Sequence, residues 1–117
     1  NSNYFESVIN LPHVKGIVLE SFGSGNMPTF SWFLNSIRKA SGSGKIFMNV
    51  SQCPGGKVQM GIYETSAALI DAGVVSGQEI TSEAAVTKLM FLLGQNLSNE
   101  EVKNCMKRNL RGEIDNQ

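Results

Sequence analysis

The stretch from Val14 to Pro28, VKGIVLESFGSGNMP, constrains the fold more than any other part of the chain. Val14, Ile17, Val18 and Leu19 form an apolar, mostly β-branched run, which suits a buried strand. A glycine-rich turn carrying Asn26 follows, and Pro28 fits the first turn of a helix, where its missing N–H costs nothing. A strand that turns directly into a helix is the opening of a parallel α/β unit. Such sheets bind small ligands outside the carboxyl ends of their strands. The order therefore places Asn26 and several free backbone N–H groups at the edge where a small molecule would sit.

The rest of the chain repeats this alternation. Asn3 to Asn10 suits a short helix that Leu11-Pro12 ends, and Val14 to Glu20 is the first strand. Phe22 to Met27 is the turn. Phe30, Phe33, Leu34 and Ile37 recur at helical spacing, so a helix is expected to Ala40, with Ser41 to Gly44 closing it. Lys45 to Val50 is a second strand, and Ser51 to Gly56 a second loop at the same sheet edge. Tyr63 to Ala72 reads as a helix stopped by Gly73, and Val74-Val75 as a brief strand. Thr81 or Ser82 caps a helix running to Gly94, with Ala85, Val86, Leu89, Leu92 and Leu93 inward. Ser98 and Glu101 make a capping box for a last helix to Asn109. The expected class is α/β: a small parallel sheet flanked by helices, of Rossmann or flavodoxin-like type.

Charge and composition narrow the partners. A length of 117 residues suits one domain. Ten basic residues balance ten acidic ones, which argues against nucleic acid or an anionic membrane as a partner, since both need a basic face. No apolar run reaches the roughly 20 residues of a membrane span, and the N-terminus has no signal-like core. The first residue is Asn, so the chain is expected to be a processed product or an excised domain. Cys53 and Cys105, without a secretion signal, are expected to stay reduced in a cytoplasmic protein. With His13 as the sole histidine, no metal-ligand spacing is present, and no cofactor is expected.

Reactive groups are few. A dinucleotide site would need a glycine where Pro28 stands and an acid some 20 residues on; the region Ser43 to Met48 has none. The Gly23-to-Asn26 turn better suits a polar nest that holds a carboxylate or an amino group. Cys53 as a nucleophile would need a base beside it, and His13 is a strand length away. Ser24 and Ser51 meet the same objection. Lys57 reads as a loop charge. Tyr63 opens a helix beside a glycine-rich loop and could face the same cleft. Trp32, Phe33 and Phe91 read as core or interface residues.

Four segments, GIVLESFGSGNMP, SQCPGGKVQMGIYETSAALIDAGVVSG, ITSEAAVTKLMFLLGQ and NLRGE, resemble the C-terminal domain of L-asparaginases, the type I cytosolic branch above all. The resemblance runs from Phe5 to Glu113. It implies a domain of an amidohydrolase that converts L-asparagine to L-aspartate and ammonia. The family's threonine nucleophiles, with their lysine and aspartate, belong to an N-terminal domain absent here, so no catalytic residue is expected in residues 1–117. By resemblance, Asn26 orients substrate, Tyr63 is a second substrate-binding position, and Cys53 matches a position of an effector site. Glu20 stands where the bacterial type I pattern has an arginine that holds the effector, and an acid there would repel a carboxylate. The resemblance also implies a homo-oligomer, in which this domain completes the site. Rival readings are an amino-acid-binding regulatory or dimerisation module, docking through faces such as that of Trp32 and Phe33, and the amidase subunit of a tRNA transamidation enzyme.

Overall fold

The computed structural model describes residues 2–22, 31–52, 67–77 and 80–108. Helix α1 (Ser2–Ile9) leads through a turn into strand β1 (Gly16–Phe22). Helix α2 (Ser31–Gly42), strand β2 (Ile46–Gln52), the helical residues 67–71 and the short strand β3 (Val75–Ser76) follow. Helices α3 (Ser82–Leu93) and α4 (Asn99–Lys107) complete the described part. The strands form one parallel sheet in the order β1-β2-β3. Gly16 pairs with Ile46 and Phe22 with Gln52, so β1 and β2 are matched from end to end.

Side chains alternate across this sheet because successive residues of a strand point to opposite faces. Ile46, Met48 and Val50 lie in one apolar cluster with Ala85, Leu89 and Leu92 of α3 and Val102 and Met106 of α4. Phe47 lies in the other, with Ile9 of α1, Phe33, Ile37 and Ala40 of α2, and Leu69. Every residue from Ile46 to Val50 is buried, as a central strand covered on both faces requires. Burying side chains such as Phe47 and Ile37 supplies about 1.5–3 kcal/mol each.

Local signals set the helix ends. Thr81 is the N-cap of α3, its hydroxyl accepting from the Ala84 N–H at 3.1 Å. Ser98 caps α4 by accepting from the Glu101 N–H, while the Glu101 carboxylate accepts from the Ser98 N–H at 2.9 Å. Gly73 ends the helical residues 67–71 with φ +104, a conformation that side chains disfavour. Polar ties then fasten elements together. Lys45 Nζ donates to the Leu11 and Val14 carbonyls, Asn99 Nδ2 to the Gly44 carbonyl, and Arg38 pairs with Asp71 at 3.0 Å.

Several boundaries differ from the sequence reading. Strand β1 begins two residues later than Val14 and extends to Phe22. Ser51 and Gln52 belong to β2, paired with Ser21 and Phe22, and not to a loop. Pairing with β1 carries the strand past the apolar run, which periodicity alone cannot foresee. Helix α2 continues through Ser41 and Gly42, and α4 ends at Lys107, with Arg108 as its C-cap. Val86 points outward, 42% exposed, since α3 buries Ala85, Leu89 and Leu92 in the cluster with the sheet and Lys88 against the end of α4. Phe33 is buried against Phe5, ring centroids 4.7 Å apart. It is core, not a docking face; Trp32 beside it is exposed.

Candidate functional site

The matched register of β1 and β2 decides where a site can form. Both strands run the same way and end level, at Phe22 and Gln52. The segments that follow, 23–30 and 53–66, therefore leave from one edge of the sheet. The first carries Asn26 and the second carries Cys53, Lys57 and Tyr63. All four, with Ser24, lie outside the described residues. What is described is the scaffold that delivers them: strand ends, flanking helices and the groups around them.

Helix α3 runs antiparallel to β1. Ser82 in its first turn meets Glu20 near the end of the strand, while Leu89 and Leu93 crowd Gly16 at its beginning. The N-terminus of α3 thus lies at the same edge as the departing segments. Ser82 Oγ donates to the Glu20 carboxylate, and a carboxylate beside a helix N-terminus is favoured by the helix dipole. Glu20 is solvent-exposed and Ser82 half-buried. Negative charge at Glu20 makes this corner unattractive to a ligand carboxylate.

Two buried polar groups stand behind this edge. Asn49, on β2 between Leu19 and Ser76, is 3% exposed, and its Oδ1 has no hydrogen-bond partner among the described residues. Its backbone carbonyl accepts from the Gly77 N–H at 2.7 Å. Lys88 of α3 is 7% exposed and donates to the Met106 and Arg108 carbonyls at 3.4 and 2.7 Å. An ammonium at a helix C-terminus satisfies carbonyls that have no partner within the helix. Neither residue stands out in the sequence as a candidate, although Lys88 falls at helical spacing between Ala85 and Leu92, inside the apolar stripe.

Other sequence candidates stand apart. His13 is exposed in the turn before β1, at the opposite edge from the departing segments. Cys105 is a free thiol packed against the α3–α4 cluster. Among the described residues, no group of three His, Cys, Asp or Glu side chains could hold a metal, and no helix is long and apolar enough to cross a membrane. A groove of about 520 Å³ beside β3, lined by residues such as Ile70, Ser76, Glu100 and Lys103, lies along α4 and is mixed in charge.

A small parallel sheet clad on both faces by helices, with two strands ending level at its carboxyl edge, is the class of α/β domain that this geometry defines. Residues 1–106 match the glutaminase/asparaginase C-terminal domain, and the chain belongs to that family. It is 46% identical over 101 residues to L-asparaginase 1 of Escherichia coli K12, covering 86% of this chain and 30% of that protein. The crystal structure of L-asparaginase I from Vibrio cholerae superposes with a TM-score of 0.84 at 45% identity, covering 98% of this chain and 34% of the other. A glutamyl-tRNA(Gln) amidotransferase component of Pyrococcus abyssi is 38% identical over 100 residues, 86% of this chain and 22% of that protein. The chain thus spans about a third or less of the length of these relatives.

Proposed function

We infer that residues 1–117 form the C-terminal domain of a type I L-asparaginase, an amidohydrolase that converts L-asparagine to L-aspartate and ammonia. The nucleophile comes from an N-terminal domain outside this chain. The contribution of these residues is to present Asn26, and beside it Tyr63, to the substrate. A carboxamide both donates and accepts hydrogen bonds, which suits the carboxylate and amine of an amino acid. Holding a substrate in a reactive pose supplies a large share of a rate enhancement, yet gives no turnover without the attacking group. The complete protein acts as a homo-oligomer in the cytoplasm, and Cys53 lies at an effector position that Glu20 disfavours.

The observation that carries this reading is the 45–46% identity to two proteins named as L-asparaginases of the first type, over nearly the whole chain. The lower identity to the amidotransferase component favours a free amino acid over a tRNA-linked one. The test is Asn26→Ala in the complete protein. Ammonia release from asparagine should fall at least about tenfold in kcat/KM, while the thermal midpoint stays near that of the parent. A rate equal to the parent's removes Asn26 from the site.

A further inference from the structure

We propose that the free edge of β1 is a docking site for one more parallel strand, supplied by the segment that precedes Asn1 in the complete protein. This inference rests on the reading of residues 1–117 as the C-terminal part of a longer protein, and it adds where the rest of that protein attaches.

The winding of the sheet locates the strand. Helix α2 carries the chain from β1 to β2, and the helical residues 67–71 lie between β2 and β3 in the chain. Both pack on the Phe47 face, where Phe33, Ile37, Ala40 and Leu69 share one apolar cluster. Crossovers between parallel strands are right-handed. With their helices on one face, successive crossovers must add strands in one direction, and the order β1-β2-β3 does so. Helix α1 lies on that same face. Its Ile9 is buried in the same cluster, and its Phe5 ring packs on Phe33. A helix entering β1 from this face is the return arm of a crossover whose first strand lies beside β1, on the side away from β2.

The edge of β1 is open to receive that strand. The Ile46 N–H donates to the Lys15 carbonyl at 3.0 Å, and the pairing of β1 with β2 runs unbroken from Gly16 to Phe22. In a parallel ladder, alternate residues of a strand bond to a given neighbour. Ile17, Leu19 and Ser21 therefore turn their N–H and C=O groups to β2, while Gly16, Val18 and Glu20 turn theirs away from it. Among the described residues no strand takes them up. Edges that stay open are blunted by short length, by lysine or by proline. This edge spans seven residues, GIVLESF, with Glu20 as its one charge. Ile17, Val18 and Leu19 are only half-buried, whereas β2, paired on both sides, is buried from Ile46 to Val50. Helix α1 likewise has more apolar surface than the described residues cover, with Tyr4 75% and Val8 41% exposed.

The occupant follows from topology and length. The chain covers 30% and 34% of the two L-asparaginases it matches, and the family it matches is a C-terminal domain. Those relatives therefore carry sequence ahead of this part. A second copy meeting the same edge about a twofold axis would run antiparallel to β1, and would leave α1 without the strand that its position requires.

The experiment uses the complete protein and reads amide hydrogen exchange residue by residue. The Val18 and Glu20 amides should exchange within about tenfold of the Ile17 and Leu19 amides, because both sides of β1 are then bonded. Exchange at Val18 and Glu20 more than about a hundredfold faster, with Ile17 and Leu19 still slow, means an open edge and overturns the proposal. Nuclear Overhauser contacts from the Val18 and Glu20 amides identify the occupant, and they should run to residues ahead of Asn1. Contacts to a second copy, or protection that vanishes on dilution to a monomer, also overturn it. Ammonia release from asparagine separates this inference from the proposed function. An active protein with an open edge loses the strand alone, and an inactive one with a protected edge loses the activity and keeps the strand.

Discussion

Single residues in this domain act mostly by permitting a close approach or a rare backbone angle. Gly73 shows both. Its φ of +104 lies where side chains are strained, and an added Cβ would stand 2.7 Å from Ser41 Oγ. Gly73→Ala should destabilise the domain by about 1–3 kcal/mol, read as a lower urea midpoint. Adding Ser41→Gly to open space should recover only a small part of that loss, because the backbone strain remains. Complete recovery would mean that the clash, and not the angle, sets the cost. The glycine stop was legible in the sequence as a helix terminator. The approach of Ser41 was not, because Ser41 lies at the end of α2 and Gly73 follows a different helical stretch, 32 residues along the chain.

At the scale of elements, helix ends were the most readable features. Thr81, one of the two caps the sequence offered for α3, and the Ser98–Glu101 box are in place, because capping joins residues only three apart. The backbone and side-chain hydrogen bonds of Ser98 hold the Glu101 carboxyl below its ordinary value of 4.5. A group whose folded value is lowered adds stability above its unfolded value, and that stability is lost as pH falls through the folded one. Glu101→Gln should therefore lower the thermal midpoint at neutral pH, and the difference from the parent should close in acid as Glu101 takes up its proton. A gap that stays constant from neutral to acid would show that charge on Glu101 plays no part. The outward turn of Val86 and the burial of Lys88 were harder to read. Which stripe of α3 faces inward depends on the sheet beneath it and on the α4 carbonyls that Lys88 meets.

The whole domain is built on β2, with one apolar cluster on each face. That arrangement ends β1 and β2 level at one sheet edge; it does not assemble a reactive centre among the described residues. Purified residues 1–117 should therefore release no ammonia from asparagine above a buffer blank, while the complete protein does. Turnover by this chain at a rate near that of the complete enzyme would place the nucleophile within it and overturn the division of labour.

The sequence by itself determined the α/β class, the alternation of strands and helices, the caps, and membership of the asparaginase C-terminal family. These rest on local spacing and on motifs contiguous in the chain. Tertiary structure alone decided how far each strand extends, which helix face is buried, and that Glu20 meets Ser82 across 62 residues of sequence. Strand pairing and helix docking bring together groups whose separation along the chain carries no trace of their separation in space.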